Sequence, residues 1–106
     1  ALEKVQLRFK LDSKPDAIFA VNDSSAIISI QYLQGLGYRI PQDVAVIGYN
    51  NEPVSKVVSP TLTTIMQPSY EVGKIATQLL IDEIEHDNKE FVDQVLNSEL
   101  IIRSSS

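Results

Sequence analysis

The chain has 106 residues, 43% hydrophobic and 22% charged, with a net charge of −5, which fits one soluble globular domain. No apolar run approaches the roughly 18–20 residues that cross a bilayer, no basic-then-apolar leader opens the chain, and the absence of cysteine removes disulfides, thiolate nucleophiles and thiolate zinc sites. The acidic balance argues against direct contact with a phosphate backbone by this segment. "ALEKVQLRF" has Leu2, Val5 and Phe9 at helical spacing with no capping residue before them. That opening, with Ala1 in place of methionine, suggests that residues precede it in a longer protein; an ordinary helix that happens to open the chain is the alternative. Ser13 to Asp16 form a turn, and Ala17 to Val21 is a continuous apolar run, the pattern of a strand buried on both faces. Asn22 and Asp23 end it. Asp23 or Ser24 can cap the next helix, which runs to "GLGY", where Gly35 and Gly37 offer left-handed backbone.

Pro41 fits the loop before a second strand at about residues 44–49, which ends in Asn50 and Asn51. A longer loop leads past Pro60 to a third strand, "LTTIMQ". After Pro68, Ser69 can cap a long helix over about 70–86, with an apolar stripe of Val72, Ile75, Ala76, Leu79, Leu80 and Ile84. That stripe needs a sheet to lie on. "HDNKEF" is a polar break, "LNSELIIRS" a final strand, and "SSS" a frayed end. Buried strands alternating with helices predict an α/β fold with a mostly parallel sheet flanked by helices. In such sheets ligands bind outside the carboxyl ends of the strands. The pairs Asn22–Asp23 and Asn50–Asn51 then meet at one edge. Turn formation alone explains them equally well.

Catalytic chemistry is sparse. His86, the single histidine, lies near a helix end without an evident nucleophile or orienting partner. Neither phosphate-cradling glycine motif is present. Asp82, Glu83, Glu85 and Asp87 read as a solvated helix end, with metal binding a remote second reading. In residues 24–36, apolar side chains go nearly round the helix. One side can cover the sheet; the other suggests a subunit contact or a helix sandwiched inside its own domain.

"PDAIFAVND", "GYRIPQDVAVIGYNNEP", "SPTLTTIMQPSYEVGKIATQLL" and "LIIRSSS" together resemble the lactose-repressor/galactose-repressor family of bacterial transcription regulators, from about Pro15 to Arg103. In that family a helix-turn-helix domain binds operator DNA and precedes a two-lobed effector-binding region similar to periplasmic sugar-binding proteins. The resemblance implies that residues 1–68 are an incomplete second lobe of a type I periplasmic-binding-protein-like fold. Residues 69–106 would be a crossover helix and terminal strand packing on an absent first lobe. It implies effector contacts from Asn22, Asn50 and Gln67, and homodimerisation through Ile27, Gln31 and Val58. The effector would be a sugar or sugar phosphate. The resemblance implies no catalytic residue, metal, cofactor or membrane partner, and a cytoplasmic protein that reaches operator DNA only through the absent helix-turn-helix domain.

The sequence departs from the family at three points. Asn50 stands where many members have aspartate, Ile28 where a small glycine is common, and Thr61 where a second proline is common. The rival readings are a periplasmic sugar receptor of the same fold and a small α/β enzyme or signalling receiver domain. A receiver's acidic strand end and late lysine are both missing, since Lys56 lies in a loop and Lys74 in a helix.

Overall fold

The computed structural model describes residues 2–87 and 90–106. The chain runs α1 (Leu2–Phe9), β1 (Ala17–Phe19), α2 (Asp23–Gly35), β2 (Ala45–Ile47), a 3-10 turn (Pro53–Lys56), β3 (Thr64–Met66), α3 (Ser69–His86) and β4 (Glu99–Ile101). The expected order of elements is present, with shorter strands and the added 3-10 turn. Two units form. The first holds the chain up to Met66 and again over Glu99–Ser106; the second is Gln67–Ser98.

In the first unit β1 and β2 are parallel, with Ala17 opposite Ala45 and Phe19 opposite Ile47. The pairing runs past both strands: Ala20 N–H donates to the Ile47 carbonyl at 2.8 Å, and Asp23 N–H to the Tyr49 carbonyl at 3.0 Å. β2 meets the approach to β3 through a parallel bridge between Ile47 and Thr63. Gly48 N–H to Thr63 O at 2.9 Å and Asn50 N–H to Ile65 O at 2.8 Å extend it. β4 pairs with β3 antiparallel, Thr64 opposite Ile101. Three parallel strands with one antiparallel edge give the α/β arrangement.

The core forms where α2 lays Ala26, Ile30 and Leu33 against Val44, Val46 and Leu62. Phe9 of α1 joins it, its ring meeting Tyr38 edge-on at 5.2 Å. β1 corrects one expectation. Ile18 and Ala20 join the core, but Phe19 and Val21 are 66% and 77% exposed, so only one face of the strand is covered. An apolar run specifies a strand; it does not specify what covers each face.

The terminal serines correct another. Ser105 is fully buried. Its N–H donates to Thr61 O at 3.0 Å, and its carbonyl accepts from Val46 N–H at 2.8 Å. Its Oγ donates to Val46 O at 2.5 Å and accepts from Thr63 N–H at 2.9 Å. Ser105 thus links β2 to the approach of β3. Residues 99–106, grouped with the crossover helix on sequence grounds, pair with β3 and complete the first unit.

The loop into β2 is closed by Arg39 and Asp43. Arg39 N–H and Nε both donate to Asp43 Oδ2, at 2.7 and 3.0 Å, and Nη2 donates to Oδ1 at 2.8 Å. The guanidinium and the Arg39 backbone N–H hold the Asp43 carboxyl down to about 2. A depressed folded-state value means that this contribution to stability is present above the ordinary carboxylate value, about 3.9, and fades as pH falls toward 2. A carbon-13 NMR titration of Asp43 should give a midpoint near 2, and Arg39→Met should return it toward the ordinary value. An ordinary midpoint in the unaltered chain would refute the clasp.

In the second unit α3 spans the expected helix. Pro68 is its N-cap, with no side-chain cap; Ser69, the expected cap, is the first helical residue and donates its N–H to Gln67 O at 2.8 Å. No residue of α3 is buried. Val72, Ile75, Ala76 and Leu79 line an open groove of about 300 Å³ with Val92 and Leu96. The polar break expected over "HDNKEF" includes residues 88–89, which lie outside the described residues.

Candidate functional site

α2 starts where β1 ends, and Asn22 makes the junction. Its backbone is extended, its Oδ1 accepts from Ser25 N–H at 2.8 Å, and its carbonyl accepts from Ala26 N–H at 3.1 Å. Asn22, not Asp23 or Ser24, is the cap, because a short side-chain oxygen in extended backbone satisfies the free N–H groups of the first turn. The cap engages Asn22 Oδ1.

Asp23 has a different role. It is fully buried. Thr64 Oγ1 donates to its Oδ1 at 2.5 Å, and Glu52 N–H donates to its Oδ2 at 2.6 Å. Thr64 Oγ1 also accepts from Asn51 N–H at 3.2 Å. One carboxylate therefore ties the start of α2 to β3 and to the turn that follows β2. Gly48 makes room for it: a Cβ there would overlap Asp23 Oδ1 and lie 2.9 Å from Leu62 Cδ2.

Past Gly48 and Tyr49 the backbone turns sharply. Asn50 has φ 104° and Asn51 φ 52°. Positive φ is uncommon outside glycine, and Asn tolerates it better than most residues. Such residues persist where their surroundings over-determine them, which is common at ligand sites. The Asn50 N–H is held by Ile65 O, while the residue itself is exposed. Asn51 is more than a turn former: its Oδ1 accepts from Arg103 Nη2 at 2.8 Å.

Asn22 and Asn50 thus end adjacent parallel strands at one sheet edge. Gln67 follows β3 directly, is exposed, and belongs to the second unit. Ile27 and Val58 are half-buried against the core, and Gln31 is exposed on α2. Near them in the chain, Ile28 and Val57 are 47% and 80% exposed. Among the described residues no group of three His, Cys, Asp or Glu gathers as for a metal. The sequence reading missed the partners of Asp23 and Arg103. Their only local signal is a charged residue bordering an apolar strand.

The family model for a periplasmic binding protein-like domain matches residues 1–106. The chain belongs to the periplasmic binding protein-like domain family. This domain is 42% identical over 95 residues to the HTH-type transcriptional repressor PurR of Vibrio vulnificus, covering 87% of this chain and 28% of that protein. It is 35% identical over 101 residues to the ribose operon repressor of Haemophilus influenzae, covering 95% of this chain and 30% of that one. It therefore spans about three tenths of the length of these relatives. A LacI family transcriptional regulator from Enterococcus faecium, solved with bound ribose, superposes with a TM-score of 0.81 at 35% identity, covering 96% of this chain and 38% of that one. The resemblance to the lactose-repressor/galactose-repressor family is borne out, and with it the periplasmic-binding-protein-like fold.

Proposed function

We propose that this domain is the effector-binding and dimerisation portion of a bacterial DNA-binding transcriptional repressor. Its effector is a sugar or sugar derivative. The supporting observation is that Asn22 and Asn50 end adjacent parallel strands at the edge where α/β sheets bind ligands. Relatives named as repressors, and a ribose-bound regulator of similar structure, favour this reading over a periplasmic receptor. Asn22 and Asn50 contact the effector, and Gln67 contributes from the crossover. The protein binds its ligand without transforming it, a reading supported by relatives named as repressors. It works in the cytoplasm; among the described residues no helix is long and apolar enough to cross a membrane.

Ile27, Gln31 and Val58 form a homodimer contact, supported by the exposed Ile28 and Val57 beside them in the chain. Residues 1–68 belong to the C-terminal lobe and residues 69–106 form the crossover helix and terminal strand, with the uncovered stripe of α3 packing on an N-terminal lobe. Operator DNA is reached through a separate helix-turn-helix domain. The effector alters operator affinity by binding one global state more tightly than the other.

Asn50 sets the ligand preference. A carboxylate accepts two hydroxyl bonds, whereas an amide accepts at one atom and donates at the other. Bonds to charged groups contribute ~1.5–3 kcal/mol and neutral ones ~0.5–1.5. Asn50 therefore favours a ligand that presents an acceptor, such as a phosphate or carboxylate. In the intact regulator, Asn50→Asp should tighten ribose binding by about tenfold, equivalent to ~1.4 kcal/mol, and weaken ribose 5-phosphate. Calorimetric titration that finds the ratio of the two affinities unchanged would sink this reading.

A further inference from the structure

We infer that Arg103 is a positioning residue for Asn50, acting through Asn51; its functional meaning rests on the reading of Asn50 as an effector contact. Arg103 lies two residues past β4 and is half-buried. Its backbone N–H donates to Thr63 Oγ1 at 2.8 Å, which anchors it to the approach of β3. From there the guanidinium reaches inward. Nη1 donates to Ser55 Oγ at 2.9 Å and to the Leu62 carbonyl at 2.8 Å, and Nη2 donates to Asn51 Oδ1 at 2.8 Å. Ser55 and Leu62 are both fully buried.

These contacts divide the turn between two devices. Asp23 and Thr64 hold its backbone, at the N–H groups of Asn51 and Glu52. Arg103 holds its side chain, at Asn51 Oδ1. Held at both points, Asn51 stays in the left-handed region and Asn50 keeps the unusual φ that turns it out at the strand edge. A planar guanidinium suits this task because it aims donors from two nitrogens at fixed angles. Lysine offers a single nitrogen, which cannot reproduce that fork. The anchor comes from the segment on which the chain re-enters the first unit after Gln67–Ser98, so the direction of Asn50 depends on that return strand being seated.

The test needs no ligand. In the isotope-labelled full chain, Asn50 and Asn51 should each give the strong intraresidue HN–Hα cross-peak that a positive φ produces. Arg103→Met should weaken both to the intensity of ordinary negative-φ residues while the amide shifts of Val46 and Leu33 stay in place. Asn51→Asp keeps an acceptor for Arg103 and should retain both cross-peaks. Should Arg103→Met fail to fold, Arg103→Lys decides, with the same weakening of both cross-peaks in a chain whose core shifts are unchanged. If the cross-peaks stay strong in a folded Arg103→Met or Arg103→Lys chain, Arg103 only stabilises the sheet and the inference is overturned. The effector reading stands or falls separately, on the affinities of Asn50→Asp.

Discussion

Replacing Asp23 with alanine is expected to lower the unfolding free energy of the first unit by about 2–6 kcal/mol, because one buried and one part-buried donor lose their acceptor at about 1–3 kcal/mol each. The donors are the Thr64 hydroxyl and the Glu52 N–H. Thr64 loses most, since its hydroxyl also serves Asn51 N–H and cannot simply turn away. Asp23→Asn should fall between the two chains. Its oxygen can still serve Glu52 N–H, but its amide group then meets the Thr64 hydroxyl as a donor. Urea denaturation followed by circular dichroism measures both variants. A loss below about 1 kcal/mol for the alanine variant, within the ordinary range for a single hydrogen bond, would mean that Asp23 does not tie both partners.

Gly48→Ala is expected to cost about 3 kcal/mol, the upper part of the usual range for an overfilled core. The added methyl would overlap a carboxylate oxygen that is itself fixed by a hydrogen bond, and would lie 3.1 Å from the Asp23 backbone. The neighbouring φ values of Asn50 and Asn51 leave the backbone little freedom to give way. Because the methyl and the carboxylate compete for one space, the two substitutions should not add. Asp23→Ala clears room for the methyl, so the double variant should lose less than the sum of the single losses. Strict additivity would show that Gly48 is small for some reason other than Asp23.

Much of the sheet was legible in the sequence. Val44 to Ile47 announce a strand by composition, Gly37 marks a helix end with its φ of 89°, and the heptad-like spacing of Val72, Ile75 and Leu79 gives α3. The strand ends at Asn22 and Asn50 were legible too, because a strand passing abruptly into asparagine is a local event. What stayed hidden depends on partners far along the chain. Asp23 looks like a cap from its immediate neighbours, and only Glu52 and Thr64 make it a buried tie. Arg103 looks like an ordinary charge after a strand until Asn51 and Leu62 come within reach of it. Phe19 is as apolar as Ile18, yet exposure differs because α2 covers one face of β1. Serine carries no burial signal at all, so from its neighbours alone Ser105 looks like part of a loose end.

Ser105 also bears on the order in which the sheet is assembled. Its partners Thr63 and Val46 lie 42 and 59 residues earlier, with the whole excursion Gln67–Ser98 in between. Contacts of such separation form late, after loop-closure entropy has been met. Until Ser105 arrives, Val46 and Thr63 present unsatisfied strand edge to whatever is nearby. An open edge of that kind pairs readily with another chain. A chain in which residues 104–106 are not seated is therefore the form most prone to strand exchange and aggregation, and Ser105 acts as the stopper that keeps the finished sheet to itself.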